Sequence, residues 1–195
     1  MPIQSIKSGT LSRSTAVGNA IILPGDFESI ATTTVGAGGQ ATITFSSIPQ
    51  TFTHLQLRLT ARSTGTGGGS LDTHYQLNGD TTASNYRTHL LYGDGTSAGA
   101  ATIANLAYIT DIANASATAG TFGVAVVDFL DYTNTNKNKV SRSLGGFDAN
   151  GVITNYLLLI SSLWLNTAAI TSITMYLGTG SFAQYSHAAL YGIRG

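Results

Sequence analysis

An all-β protein, an antiparallel β-sandwich of jelly-roll type, is the fold class that this 195-residue sequence predicts. Three observations predict it. Apolar and polar residues alternate with period two in one run after another, the pattern of strands with two unlike faces. Clusters of Gly, Asn, Asp and Ser interrupt those runs at short intervals, as turns do. Good helix formers are scarce beside 28 Thr and 23 Gly, residues that disfavour helix interiors.

In chain order, Phe27–Thr34 opens the strand series, and Ala41–Phe45 (ATITF) alternates about Ile43 and Phe45. His54–Arg62 (HLQLRLTAR) is the clearest case. Leu55, Leu57, Leu59 and Ala61 share one face, and His54, Gln56, Arg58, Thr60 and Arg62 the other, which marks a sheet buried on one side. Further strands are expected at His74–Asn78, Tyr86–Tyr92, Asn105–Ile112, Phe122–Tyr132, Lys139–Asp148, Asn155–Asn166, Ile170–Leu177 and Tyr185–Ile193. Asn78-Gly79 and Asn150-Gly151 supply residues that tolerate positive φ, the requirement of tight hairpin turns. Ala98–Ile112 is the one stretch whose Ala and Leu would also support a turn of helix. The alternation predicts a core containing Leu55, Leu57, Leu59, Val124, Val126, Leu157, Leu159, Ile173 and Met175.

Residues 1–26 differ, with no sustained alternation and an Ile21-Ile22-Leu23-Pro24-Gly25 end. They are expected to form an extended docking arm ahead of a sandwich domain at 27–195. Ile3, Ile6, Leu11, Val17, Ile21, Ile22 and Leu23 are its candidate contact residues. No secretory signal is read there, because Lys7 and Arg13 precede no continuous apolar segment.

Composition narrows the function. Charged residues make up 9% and the formal net charge is zero, so the chain lacks the basic footprint of a nucleic-acid binder. Its apolar runs are too short for a membrane-spanning helix. With no Cys, disulfides, thiolate metal sites and a Cys nucleophile are excluded. His54, His74, His89 and His187 fall in no zinc-binding spacing, and His54 and His74 are placed on polar strand faces. No cofactor is implied.

Gly95-Thr96-Ser97-Ala98-Gly99 matches the nucleophile-elbow pattern, and Asp128, Asp131 or Asp148 followed by His187 would complete the chain order of a hydrolase triad. That elbow needs a strand-to-helix turn over a parallel sheet, which an all-β pattern does not supply, so a small-residue loop is the reading. Asp80 and Asp94 lie in turn sequences and are assigned to turn formation. Lys137 and Lys139 in Tyr132–Lys139 (YTNTNKNK) form the one small basic cluster, placed on a solvated loop or against a glycan or protein neighbour. Aromatic residues crowd the C-terminal part, and Tyr176, Tyr185 and Tyr191 are the candidate oligomer interface.

Several segments together carry a resemblance. They are Phe27–Gly39 (FESIATTTVGAGG), Ile43–Leu59 (ITFSSIPQTFTHLQLRL), Leu77–Tyr92 (LNGDTTASNYRTHLLY), Asp128–Lys137 (DFLDYTNTNK), Ser162–Leu177 (SLWLNTAAITSITMYL) and Gly180–Gly195 (GSFAQYSHAALYGIRG). From about Phe27 to the C-terminus the chain resembles small structural proteins of tailed-bacteriophage virions. The resemblance implies a non-enzymatic virion protein on the outer surface of the particle, made in the bacterial host cytoplasm. A capsid decoration or cement protein would sit as a homotrimer on the head, its arm laid over the major capsid protein or another virion protein. The alternative is a tail or fibre module that binds a baseplate neighbour or a host glycan.

Overall fold

The computed structural model describes residues 15–17, 20–22, 25–68, 70–149 and 156–195. Its strands are β1 (Thr15–Val17), β2 (Ala20–Ile22), β3 (Phe27–Thr34), β4 (Thr42–Phe45), β5 (His54–Ala61), β6 (Ser70–Leu77), β7 (Tyr86–Gly93), β8 (Ala98–Ala104), β9 (Ala107–Ala113), β10 (Gly123–Phe129), β11 (Lys139–Gly146), β12 (Leu157–Trp164), β13 (Ile173–Leu177) and β14 (His187–Ile193). A 3-10 turn at Ala83–Asn85 precedes β7. The strand pattern of the sequence is reproduced with two additions. Ala98–Ala104 is a strand of its own rather than a helical turn, and the N-terminal segment holds the short hairpin β1–β2.

An eight-stranded sheet of order β3-β14-β5-β10-β11-β12-β7-β8 packs on a four-stranded sheet of order β4-β13-β6-β9. Eight of these strands pair as nested couples: β3 with β14, β4 with β13, β5 with β10 and β6 with β9. The couples fall alternately in the large and the small sheet. That is one long antiparallel ribbon rolled into two sheets, the jelly-roll topology. The other four strands are insertions. β7–β8 interrupts the chain between β6 and β9, and β11–β12 interrupts it between β10 and β13. β12 pairs with β7, so both insertions join one flank of the large sheet and double its width.

Between the sheets lies the core. Leu55, Leu57 and Leu59 of β5, Val127 and Phe129 of β10, and Trp164 of β12 face Ile43, Tyr75, Leu77, Ile173 and Met175 of the small sheet. The expected burial of Leu55, Leu57, Leu59, Ile173 and Met175 therefore holds. Val124, Val126, Leu157 and Leu159 are a correction. They point to the opposite side of the large sheet and are 39–67% exposed. β10 and β12 are apolar on both faces, and Ala125, Val127, Leu158 and Ile160 fill the inner positions instead.

β9 ends the small sheet, and an edge strand normally leaves a row of backbone groups unpaired. Here that edge rests on the inner face of the large sheet, where hydroxyls replace apolar side chains. Ser162 Oγ donates to the Tyr108 carbonyl at 3.2 Å. The Tyr108 N–H donates to Ser162 Oγ at 3.2 Å and to Thr88 Oγ1 at 3.3 Å. Ser143 Oγ donates to the Ile109 carbonyl at 2.6 Å, and Thr88 Oγ1 to that of Leu106 at 2.9 Å. The crossing is close: a Cβ on Gly145 would come within 2.5 Å of Thr110 Oγ1 and 2.8 Å of the Val124 carbonyl. Buried serines in the middle of this sandwich thus serve as hydrogen-bond partners for a strand edge.

Candidate functional site

Two surfaces of the inserted strands stand out. The first is the outer face of the large sheet. Strand register sets Val126, Leu144, Leu159, Leu91 and Ala100 side by side across five strands. One row along lie Val124, Gly146, Leu157, Gly93 and Ala98. Leu157 is 67% exposed, Leu91 57% and Leu144 56%. Two open depressions of about 770 and 610 Å³ run along this face. Isolated exposed leucines need no explanation, but a contiguous patch on a folded chain marks an interaction surface. Charges frame it. Arg142, beside its cross-strand partner Asp128, and His89 flank it on one side, Asp94 and Asp148 on the other, and Arg58 adjoins Val126.

The second is a cleft of about 320 Å³ where the inserted strands overhang the small sheet. Leu90, Tyr92, Ile103, Tyr156 and Leu158 line one wall, and Asp72, Tyr108 and Asp111 the other. Tyr92 and Tyr156 meet edge to face at 5.5 Å between ring centroids. Asp72 and Asp111 are direct cross-strand partners, an arrangement that like charges disfavour. Burial pushes the Asp111 carboxyl up to about 6, with Asp72 adding to the rise and the hydrogen bond from Tyr108 opposing it. Burial likewise raises Tyr108, and the neighbouring carboxylates raise it further. Aromatic edges facing carboxylates suit a hydroxyl-rich or cationic guest. Among the described residues no group of three or more His, Asp or Glu is placed to hold a metal ion.

The residues singled out in the sequence scatter. Ser97 sits in the turn between the antiparallel strands β7 and β8. Its hydroxyl donates to Asp94 Oδ2 at 3.0 Å, and Asp94 Oδ1 accepts the N–H groups of Thr96 and Ser97 at 2.8 and 2.7 Å. His187 pairs with Thr34 Oγ1 at 2.8 Å on the opposite flank of the sheet. His54 accepts the Asp131 N–H at 2.9 Å. His74 is a correction: it is 3% exposed, between the rings of Tyr108 and Tyr176, and burial lowers its pKa.

Lys139 is a second correction. It is buried rather than solvated, and its Nζ donates to the carbonyls of Asn134, Lys137 and Thr167 at 2.6–2.8 Å. Lys137 remains exposed and pairs with Asp131 at 2.5 Å. Asp80 ties its turn to the core, accepting from Asn85 Nδ2 at 2.8 Å and Trp164 Nε1 at 2.7 Å. Those hydrogen bonds hold its pKa down at about 2.

The three interface tyrosines do not share a surface. Tyr191 stacks on Phe27 at 4.7 Å on the outer face of the large sheet, Tyr176 lies on the small sheet, and Tyr185 projects from the loop before β14. Of the arm residues, Ile3, Ile6, Leu11 and Leu23 lie outside the described residues. Val17, Ile21 and Ile22 belong to the β1–β2 hairpin, which forms a sheet of its own, so the expected single extended segment is in part a hairpin.

Fold and surfaces together define a jelly roll widened by two inserted hairpins that carry an apolar outer face. No protein-family model matches the sequence, and no curated protein matches it. The solved structures include a weakly similar crystal structure, a protein of unknown function from Shewanella oneidensis MR-1. It shares 9% identity over 92% of this chain and 78% of that one, with a TM-score of 0.23, too low to bear on fold or function.

Proposed function

We propose that this protein is a non-enzymatic structural protein of a tailed-bacteriophage virion, a capsid decoration or cement protein that acts by association. The observation that carries an association role is the apolar face across β10, β11, β12 and β7, which has no cover within the described residues. The virion setting rests on the resemblance of residues 27–195 described above. The role of Tyr176, Tyr185 and Tyr191 as one trimer interface is not carried forward, since Tyr191 is engaged within its own chain and Tyr176 belongs to the other sheet. Residues 1–26 are assigned to docking on the major capsid protein or another virion protein.

Particles made with a chain lacking residues 2–23 test this. The truncated protein should fold with an unchanged β circular dichroism spectrum and fail to incorporate, while the full chain labels the head. Normal incorporation without the arm, or label confined to the tail, counts against the proposal. The tail or fibre alternative is favoured by the cleft between Tyr92, Tyr156, Asp72 and Asp111, whose chemistry suits a glycan. Glycan-array binding that is lost in Tyr156→Ala would support it.

A further inference from the structure

We propose that β8, the free edge of the large sheet, pairs antiparallel with β8 of a second copy of this chain. The inference is independent of the virion setting and of what covers the outer apolar face.

The edge strands of the two packed sheets are β3, β8, β4 and β9, and all but β8 are blunted. β3 carries a bulge at Ile30, where its register with β14 shifts. β4 has only 4 residues. β9 rests on Ser and Thr hydroxyls of the large sheet. Bulges, short strands and covered edges are the devices by which sheets avoid pairing with other chains. β8 has none of them. It runs for 7 residues without Pro or charge, in unbroken register with β7 from Ala98 opposite Gly93 to Ala104 opposite Arg87.

That register fixes which backbone groups are left over. The Asp94 N–H donates to the Ser97 carbonyl, and the Asn105 N–H to the Tyr86 carbonyl. Bonded pairs alternate along an antiparallel ladder, so Gly99, Ala101 and Ile103 bond to β7. Ala98, Ala100, Thr102 and Ala104 turn their N–H and C=O groups away from it. No described residue takes those groups. The partner that matches such a row is another extended strand.

The same row points to a second copy as that strand. A two-fold axis through Ala101, perpendicular to the sheet, sets Ala98 opposite Ala104 and Ala100 opposite Thr102. These are the bonded positions, so every outward group on both copies is used at once. Such an isologous pair closes both edges, whereas a foreign strand would present a second edge of its own. The side chains agree with this register. Gly99 falls opposite Ile103 of the second copy, at a non-bonded position where side chains come closest. A Cβ on Gly99 would come within 2.5 Å of the Tyr92 ring. Tyr92 therefore covers that site already and offers its ring to the incoming Ile103, a favourable cross-strand neighbour. The outer faces of both copies end on the same side of one continuous sheet.

Sedimentation velocity of the full chain across roughly 1–100 µM reads the association. A dimer is expected, whereas the virion resemblance implies a homotrimer, so oligomer size keeps the two readings apart. Ala100→Pro removes an N–H that β7 does not use, so it should keep the circular dichroism spectrum. It should weaken the dimer about tenfold or more, because the facing Thr102 carbonyl loses its donor. Ala101→Lys and Ala101→Glu each set like charges opposite each other across the axis and should weaken it as well. Mixing those two variants should restore it, since a Lys then faces a Glu. The chain has no Cys, so Ala101→Cys gives each subunit a single thiol. In air it should form a disulfide-linked dimer, as the facing Cα atoms lie about 4.5 Å apart. Ala104→Cys should not, because its copy lies roughly 20 Å away along the strand. A monomer throughout the range overturns the proposal, as does a trimer. A dimer that neither Ala101→Lys nor Ala101→Glu weakens, or that Ala101→Cys fails to link, overturns it too. Should Ala100→Pro alter the spectrum, the Ala101 series decides alone.

Discussion

The outer face of the large sheet divides into two regions of opposite character. On the jelly-roll strands β3, β14 and β5 it presents Thr32, Thr34, His187, Gln56, Arg58 and Thr60, with the stacked pair Phe27 and Tyr191 as its one aromatic feature among the described residues. From β10 to β7 the equivalent positions are Val124, Val126, Leu144, Leu157, Leu159 and Leu91. Both regions belong to one continuous hydrogen-bonded sheet, so backbone structure does not separate them. What differs is the origin of the strands. The polar region is made by the rolled ribbon, and most of the apolar region by the two insertions. A sheet face facing solvent in a single subunit has no reason to be apolar, whereas one reserved for another surface does.

Substitutions on the two sides of the sheet can break or sharpen that comparison. The largest effect is expected inside the ribbon. Leu57→Ala empties a fully buried site and should lower unfolding free energy by about 2–5 kcal/mol in urea titration. A loss well under that range would mean the core between the sheets is loosely packed. Ser162→Ala removes the hydroxyl that serves both backbone groups of Tyr108 and should cost about 1–3 kcal/mol. If the loss is negligible, the polar inner face of the insertions is not what seats β9.

The pH profile separates two aspartates of opposite sign. Asp111, raised from 3.8 to about 6, binds its proton more tightly in the native state than in the unfolded chain. Its contribution is complete below its ordinary pKa and is lost as pH rises through 6. Asp111→Asn should flatten that slope and recover up to about 2 kcal/mol above pH 6. Asp80, lowered to about 2, contributes above 3.8 and loses that contribution as pH falls through 2, so Asp80→Asn should flatten the acid limb instead. Urea midpoints measured from pH 2 to 8 read both. The smallest effect belongs to the outer face: Leu159→Ala should change the unfolding free energy of dilute monomer by no more than about 0.5 kcal/mol.

Most of the ribbon was legible because strands such as β5 are apolar on one face only. In β5 the leucines alternate with Gln56, Arg58 and Thr60, and period alone settles which side is buried. In β10 and β12 both faces are apolar, so the same rule admitted Val124, Val126, Leu157 and Leu159 to the core. Alternation reports that two faces differ, and here they hardly do. β11 holds the missed signal: Ser141 and Ser143 are buried while Val140 and Leu144 are exposed. A strand with hydroxyls inside and aliphatics outside points to polar work within and contact without. Asp72 and Asp111 are far apart in sequence, and the bulge between Thr73 and His74 helps set their register. No local pattern announces such a pair.

The nested pairing also sets the order in which the chain can be finished. β14 lies between β3 and β5 and is synthesised after every other described strand of the two sheets. Its partners on β3 are more than 150 residues earlier, from Thr34 opposite His187 to Phe27 opposite Ile193. Contacts so distant in sequence close late, after most loop-closure entropy has been spent. Until β14 arrives, β5 has an unpaired edge and β3 has none of its sheet partners, which leaves two templates open to strands of other chains. Residues 186–195 act as a wedge that seals this seam: Ser186 Oγ accepts the Arg62 N–H at 3.1 Å, and the Arg194 N–H closes on the Asp26 carbonyl at 2.9 Å. A chain that terminates before His187 therefore carries nearly the whole ribbon yet lacks the strand that keeps it from pairing with its neighbours on the ribosome.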